Sequence, residues 1–452
     1  MHTNPAKVIA ISLAVLAGTG CTTVERAPCE GDVCDAELEG TARSSRDPDS
    51  GQRGGARTEA GEASPTDGPV DDLDLLFVID NSRSMAEAQA RLREQLPRLL
   101  LALASGNKDA GKDEPEGAEG HSFRPFTSIQ LGITSADMGA AGNAILSCDK
   151  PDDGVLLDST EIASAGFESL DADSSSLSWP PEPTCEGVKL SRYLTFEPPS
   201  NPGHLLEAVQ DAAHALGCAA LLGTGGCGFE QPLEAMLKAV SPSDREDFLS
   251  YPGFSSYLND EQVVFEGTER FGHGGPDGKN AGFVRDNALL AVIVLSNEDD
   301  CSITPAANEL FATAGMGAFT DEPVNLRCGL HRLDEKLVHP PERYVEGLRS
   351  LKPGRREAVF FAAIVGVQPE LEQLNIDQLR EETTFSFDGY PTDPLTHPNA
   401  ICKSPGGSEA FPAERLVLVA QGFAPMGLVR SICRDDFGPA IDAIIDNIAT
   451  WR

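Results

Sequence analysis

The chain reads as an α/β protein built on an open, mostly parallel sheet with helices on both faces. Three observations predict this. Nearly unbroken apolar runs of strand length recur along the sequence, the clearest being Leu73 to Ile79 and Ala288 to Leu295. Between such runs lie stretches with apolar residues at helical spacing, the alternation expected of parallel strands covered by helices. Both runs also stop abruptly in oxygen-rich turns, Asp80-Asn81-Ser82-Arg83-Ser84 after the first and Ser296-Asn297-Glu298-Asp299-Asp300 after the other. Polar loops at the carboxyl ends of strands are where open α/β sheets bind their ligands.

In order, the first strand is followed by a helix marked by Met85, Leu92, Leu96, Leu99, Leu100 and Leu103. An acidic, Gly-rich insertion is expected at 105–122. The second strand, Ser128 to Thr134, ends in Ser135-Ala136-Asp137-Met138-Gly139. A Pro/Ser/Asp-rich excursion at 148–190 precedes an edge strand over Ser191 to Phe196. Helical spacing resumes from His204 to Leu222 and leads through a Gly-rich turn, Gly223 to Pro232, into a helix over Leu233 to Val240. A third insertion covers 241–282. After Ala288 to Leu295 come a helix around Arg343 to Leu351, a strand over Ala358 to Val367, and a short strand near Leu428 to Cys433. Asp435-Asp436 then caps a last helix with Phe437, Ile441, Ile444, Ile445, Ile448 and Trp451 on one face. No internal repeat is present, and 71–452 is read as a single domain with insertions.

The first residues read as an export signal. Lys7 precedes the apolar stretch Val8 to Leu16, which is too short to span a bilayer and is followed by Ala17-Gly18-Thr19-Gly20-Cys21. Small residues followed by Cys resemble the lipobox of bacterial lipoproteins, with Gly18 where Leu is usual. The resemblance implies that Cys21 is lipidated, giving a cell-envelope protein anchored to the outer membrane. Residues 22–70 are Gly-, Ser- and charge-rich with almost no aromatic residue, and read as a flexible tether. A coil of about 48 residues would average roughly 35–40 Å in span.

Net charge is −36, of which −31 lies beyond residue 70, so a nucleic-acid partner is excluded by repulsion. Setting Cys21 aside leaves ten cysteines, an even number suited to disulfides in an oxidising compartment, and no zinc-finger spacing occurs. Pairing of neighbours is expected, because it closes loops without crossing the core: Cys29 with Cys34, Cys148 with Cys185, Cys218 with Cys227, Cys301 with Cys328, and Cys402 with Cys433.

Asp80, Ser82 and Ser84, set between a buried strand and a helix, offer hard oxygen ligands suited to a small divalent cation. Here the sequence resembles the von Willebrand factor A (VWA) domain and its metal-ion-dependent adhesion site. Phrases such as Gly-Ile-Thr-Ser-Ala-Asp-Met-Gly and Leu-Ser-Asn-Glu-Asp-Asp-Cys-Ser extend the resemblance to a group of bacterial VWA-domain lipoproteins, from about Asp71 to the C-terminus. It implies a Rossmann-like sheet and a bound Mg²⁺, or Mn²⁺ or Ca²⁺. The ligands would be Asp80, Ser82 and Ser84 of the first loop, Thr224 of the second and, in the third, Asn297 where the family has Asp. Glu230 is the alternative to Thr224. Asn297 carries no charge and lowers the expected affinity, for which Glu298, Asp299 or Asp300 would have to compensate. Asp137 would border the site or stand solvated beside it. The function implied is binding, with the cation's coordination completed by a carboxylate of a protein partner or another acidic ligand.

Enzyme signatures fail. No Gly-x-Ser-x-Gly or His-Glu-x-x-His occurs. Gly272 to Asn280 imitates a phosphate loop but has His273 and Asn280 at key positions and no strand before it. Two rivals to adhesion stand: a VWA scaffold that has lost its metal, and an envelope hydrolase using residues 298–300.

Overall fold

The computed structural model describes residues 70–451 except 113–120, 144, 146, 159–184, 186, 243–271, 305–306, 313–317, 320, 353 and 387–397. The export signal, Cys21, the tether and the Cys29–Cys34 pair lie outside the described residues, as does much of each insertion.

Six strands form one sheet in the order β3-β2-β1-β4-β5-β8: β1 (Asp72–Ile79), β2 (Ser128–Ser135), β3 (Tyr193–Phe196), β4 (Ala288–Leu295), β5 (Val359–Val365) and β8 (Gly427–Ser431). Every pairing is parallel except β2 with β3, so the expected edge strand is there and runs antiparallel. A two-residue ribbon pairs β6 (Cys402–Lys403) with β7 (Glu409–Ala410).

The central strands are almost wholly apolar, β1 from Leu75 on and β4 and β5 along their length, because helices cover both faces. Leu75, Phe77 and Ile79 of β1 pack with Leu289, Ala291, Ile293 and Leu295 of β4 in a core that holds α1 (Ala86–Ser105), α2 (Leu205–Ala219) and α8 (Gly438–Trp451). On the opposite face Leu76, Val78, Val292 and Val294 meet α3 (Pro232–Val240), α5 (Pro341–Ser350) and α7 (Glu414–Gly422). The helical residues Met85, Leu92, Leu96, Leu99, Leu100 and Leu103 are all buried, as their spacing predicts. Two short helices, α4 (Val324–His331) and α6 (Ile376–Glu382), lie in connections. No helix among the described residues is long and apolar enough to cross a membrane.

A third, smaller apolar cluster gathers Ala140, Cys148, Cys227, Phe229, Cys301, Ile303 and Phe311. It carries a correction. Cys148 bonds Cys227, and Cys185 bonds Cys218, whereas Cys301–Cys328 and Cys402–Cys433 pair as neighbours. The neighbour rule fails because the loop after β2 folds against the Gly-rich turn before α3. There the Asp137 carboxylate accepts from Cys227 N (3.1 Å) and the Cys148 and Cys227 Cα atoms come within 4.5 Å.

The phosphate-loop imitation is a staple. Asn280 accepts from Leu156 N (2.9 Å) and donates to Gly154 O (3.0 Å) and Ala239 O (2.9 Å), while the His273 imidazole bonds Asp153 O (2.8 Å). With the fully buried Lys238–Asp153 pair (2.6 Å), these groups fasten two insertions to α3.

Candidate metal site

Strand order reverses between β1 and β4, whose connections leave in opposite directions and open a crevice at their carboxyl ends. Register sets what faces it. Ile79 pairs with Leu295, and Asp80 N donates to Leu295 O (2.9 Å), so Asp80 and Ser296 emerge side by side. Asp80 is 1% exposed. Its Oδ1 accepts from Ser82 N (2.7 Å) and its Oδ2 from Ser296 Oγ (2.9 Å). The first contact is the local turn that Asp favours.

The Gly-rich turn joins this loop through its backbone. Gln89, buried on the inner face of α1, donates to both Asp80 O (3.1 Å) and Gly223 O (2.9 Å). Gly226 N donates to Asn81 O (2.9 Å), and a Cβ on Gly226 would stand 2.1 Å from the Asn81 side-chain oxygen. Thr224, buried, lies between these two anchor points, so the second loop is held against the first. The third loop contributes Ser296, Asn297 and Glu298. Ser84 Oγ donates to Asn297 Oδ1 (3.2 Å).

Glu230 enters from the start of α3. Its backbone is fixed by Cys301 N, which donates to Glu230 O (2.8 Å), yet its Oε1 is buried without a hydrogen-bond partner. The Glu230 carboxyl is held well above the usual carboxylate range, first by burial and then by the like charges of Glu298 and Asp80. Burial, then Asp80, pushes the half-buried Glu298 up to about 7. Burial raises Asp80 too, against the hydrogen bonds from Ser82 and Ser296. Among the described residues no Lys or Arg pairs with any of these three carboxyls. Nor do three His, Cys, Asp or Glu side chains converge into a ready-made metal cage, so any cation here must draw on hydroxyl oxygens as well.

The remaining candidates are committed elsewhere. Both Asp299 oxygens accept from Arg415 N (3.0 and 3.2 Å) at the start of α7; burial, outweighing Arg415, still pushes this carboxyl up to about 7. Asp300 Oδ1 caps α3 by accepting from Leu233 N (3.0 Å), and its Oδ2 accepts from Arg415 Nε (3.0 Å). Both carboxyls are thus engaged with Arg415 rather than with the loop of Asp80. Asp137 is no solvated bystander: it is 4% exposed, accepts from Gly139 N (2.8 Å) and Cys227 N, and is pushed up to about 6 by burial.

Sequence reasoning missed Ser296 and Gln89. Aligning the ends of the two apolar runs would have set Ser296 opposite Asp80. A glutamine on the apolar face of α1 was the mark of the other. Compared with family models, with curated proteins and with solved structures, the chain matches none.

Proposed function

We propose that the sheet top binds a divalent cation and that the domain engages a protein partner through it. Asp80, Ser82, Ser84 and Thr224 would hold the ion, as in the VWA domain the sequence resembles, with Glu298 supplying the charge that Asn297 lacks. The bound ion would supply Lewis acidity toward an oxygen of the partner; the residues of the chain orient the loops and exclude water. One observation carries this reading: three buried or half-buried carboxyls, Asp80, Glu230 and Glu298, lie within electrostatic reach of one another, and among the described residues no basic side chain pairs with them. Such a cluster needs protons or a cation to offset its desolvation. The residues fit a hard cation, because every donor is oxygen.

The reading is one of binding without turnover, by a lipid-anchored envelope protein, and the paired cysteines suit an oxidising compartment. Calorimetric titration with Mg²⁺, Mn²⁺ and Ca²⁺ tests it. Binding by the wild type that is lost in Ser82→Ala/Ser84→Ala supports it, and equal binding by both sinks it. The metal-free scaffold is the second reading, favoured by Ser84 Oγ being bonded to Asn297 and by both Asp80 oxygens accepting hydrogen bonds.

A further inference from the structure

We propose that the open edge of β3 is a docking groove for an acidic, extended segment of a partner protein, which would join the six-stranded sheet as one more strand. The groove uses none of the residues of the cation reading and stands or falls without it.

β3 ends the sheet. It pairs with β2 on one side and, among the described residues, with no strand on the other. Backbone N–H and C=O groups of a strand point alternately to its two sides. Ser191 Oγ donates to Tyr193 O (3.0 Å), which puts the backbone of Tyr193, and two residues on that of Thr195, on the outward side. Thr195 is exposed, and among the described residues no group bonds its backbone from there. An unpaired edge of this kind is a template for another strand. It is also stiff, which lowers the cost of ordering on docking. Tyr193 Oη donates to Ala281 O (3.3 Å) and its ring packs on Phe283, with centroids 5.6 Å apart, so the start of the strand is pinned to the loop before β4. Pro198 and Pro199 lack N–H groups and close the edge, which limits it to a short segment.

Charge selects the occupant. A groove of about 580 Å³ follows this edge, and Lys189, Arg192 and Lys279 line it, with no carboxylate among the described residues of its wall. In a chain that carries −31 beyond residue 70, this is a local reversal of sign, and it favours an acidic ligand. Arg192 is held in place by Leu156 O (2.7 Å) and Asp158 (3.4 Å), and Lys189 stands exposed beside it. The edge is apolar as well as cationic, because Leu194 and Tyr193 are only partly covered, each packed against the core of a different face of the sheet. A strand that alternates apolar with acidic residues matches both properties. A polyanion without peptide groups would match the cations and leave the backbone edge unused.

The test uses the purified full chain in EDTA, so that no cation takes part. The probe is a fluorescent synthetic peptide alternating valine with glutamate, and a valine–lysine peptide is the control; polarisation reads affinity and hydrogen exchange reads the contact. The acidic peptide should bind, slow exchange over Tyr193–Phe196 and bind less as salt is raised, while the lysine peptide should not bind. Thr195→Pro removes an outward N–H at an edge where proline is tolerated, and should weaken binding by roughly 3–10-fold. Thr195→Ala keeps that N–H and should bind like wild type, and Lys189→Glu should bind more weakly. A wild type that binds neither peptide, or both alike, refutes the inference. Equal binding by Thr195→Pro and wild type refutes it too, since the groove would then take anions without strand pairing. Should Thr195→Pro fail to fold, Lys189→Glu and the exchange of Tyr193–Phe196 decide: unchanged affinity or unchanged exchange overturns the docking groove.

Discussion

The Asn297 side-chain nitrogen donates to the Glu409 carbonyl across 2.7 Å, while its oxygen accepts from Ser84 Oγ. An amide can do both; a carboxylate cannot. Asn297 thus joins the first loop of the site to the β6–β7 ribbon, which is seated from the other side on Glu87 through Ser404 Oγ (2.7 Å) and Ser408 Oγ (3.3 Å). Asn297→Asp should tighten cation binding by adding charge. In EDTA the same change should destabilise the protein by about 1–3 kcal/mol, because two oxygens would face each other across a hydrogen-bond distance. Melting curves with and without metal read both effects, and unchanged stability in EDTA would contradict the bridge.

Gly366 is a second control point of the ribbon. A Cβ there would stand 1.8 Å from Phe411 O, and Phe411 N donates to Asn297 O (2.8 Å). Gly366→Ala must push this backbone off Asn297, with an overpacking cost of about 1–3 kcal/mol. Urea denaturation should show a lower midpoint, and a wild-type midpoint would show that the strand yields freely.

Peptide mapping under non-reducing conditions should recover Cys148 linked to Cys227 and Cys185 linked to Cys218. Replacing both Cys148 and Cys227 with Ser should cost about 2–5 kcal/mol and loosen the turn that carries Thr224. Recovery of a Cys148–Cys185 peptide would contradict the fold of the loop after β2.

His339 provides a pH test away from the crevice. Burial, helped by Arg343 and Arg415 and opposed by Glu234, pushes its imidazole down to about 4. Between there and the unfolded value near 6.5, the unfolded chain carries a proton that the folded chain does not. Stability attributable to His339 is therefore present above about 6.5 and lost as pH falls toward 4, by roughly 3 kcal/mol in total. The carboxyls of buried Asp137 and half-buried Asp299 have raised values and work in the opposite sense, so the comparison must be with His339→Gln. The difference in stability between wild type and variant should shrink on acidification, and a constant difference would contradict the burial.

Much of the architecture was legible because it is written locally. Apolar runs mark β1 and β4, and their shared register makes the first and third loops neighbours. The helix α7 went unread although Leu416, Val417, Val419 and Ala420 are buried, because its start is capped by Asp299, 116 residues earlier. Asp299 and Asp300 looked like spare ligands for the same reason. Their partner Arg415 is distant in sequence, and proximity in sequence to the site was the only guide. Glu230 and Glu298 were legible as candidates, but their mutual influence was not, since it depends on the loop after β4 being tied to the entry of α3 by Cys301 N donating to Glu230 O.

The Cys148–Cys227 bond encloses the Cys185–Cys218 bond, so the two pairings are nested. A chain emerging from its N-terminus offers Cys148 first to Cys185, and only much later to its proper partner. The inner bond can form without waiting, but the outer one requires Cys148 to stay free, or to be released from an early mistake. Assembly of the crevice is therefore a problem of order in time as well as of geometry. A thiol-exchange catalyst acting on the growing chain would govern how much of it matures with all three loops in place.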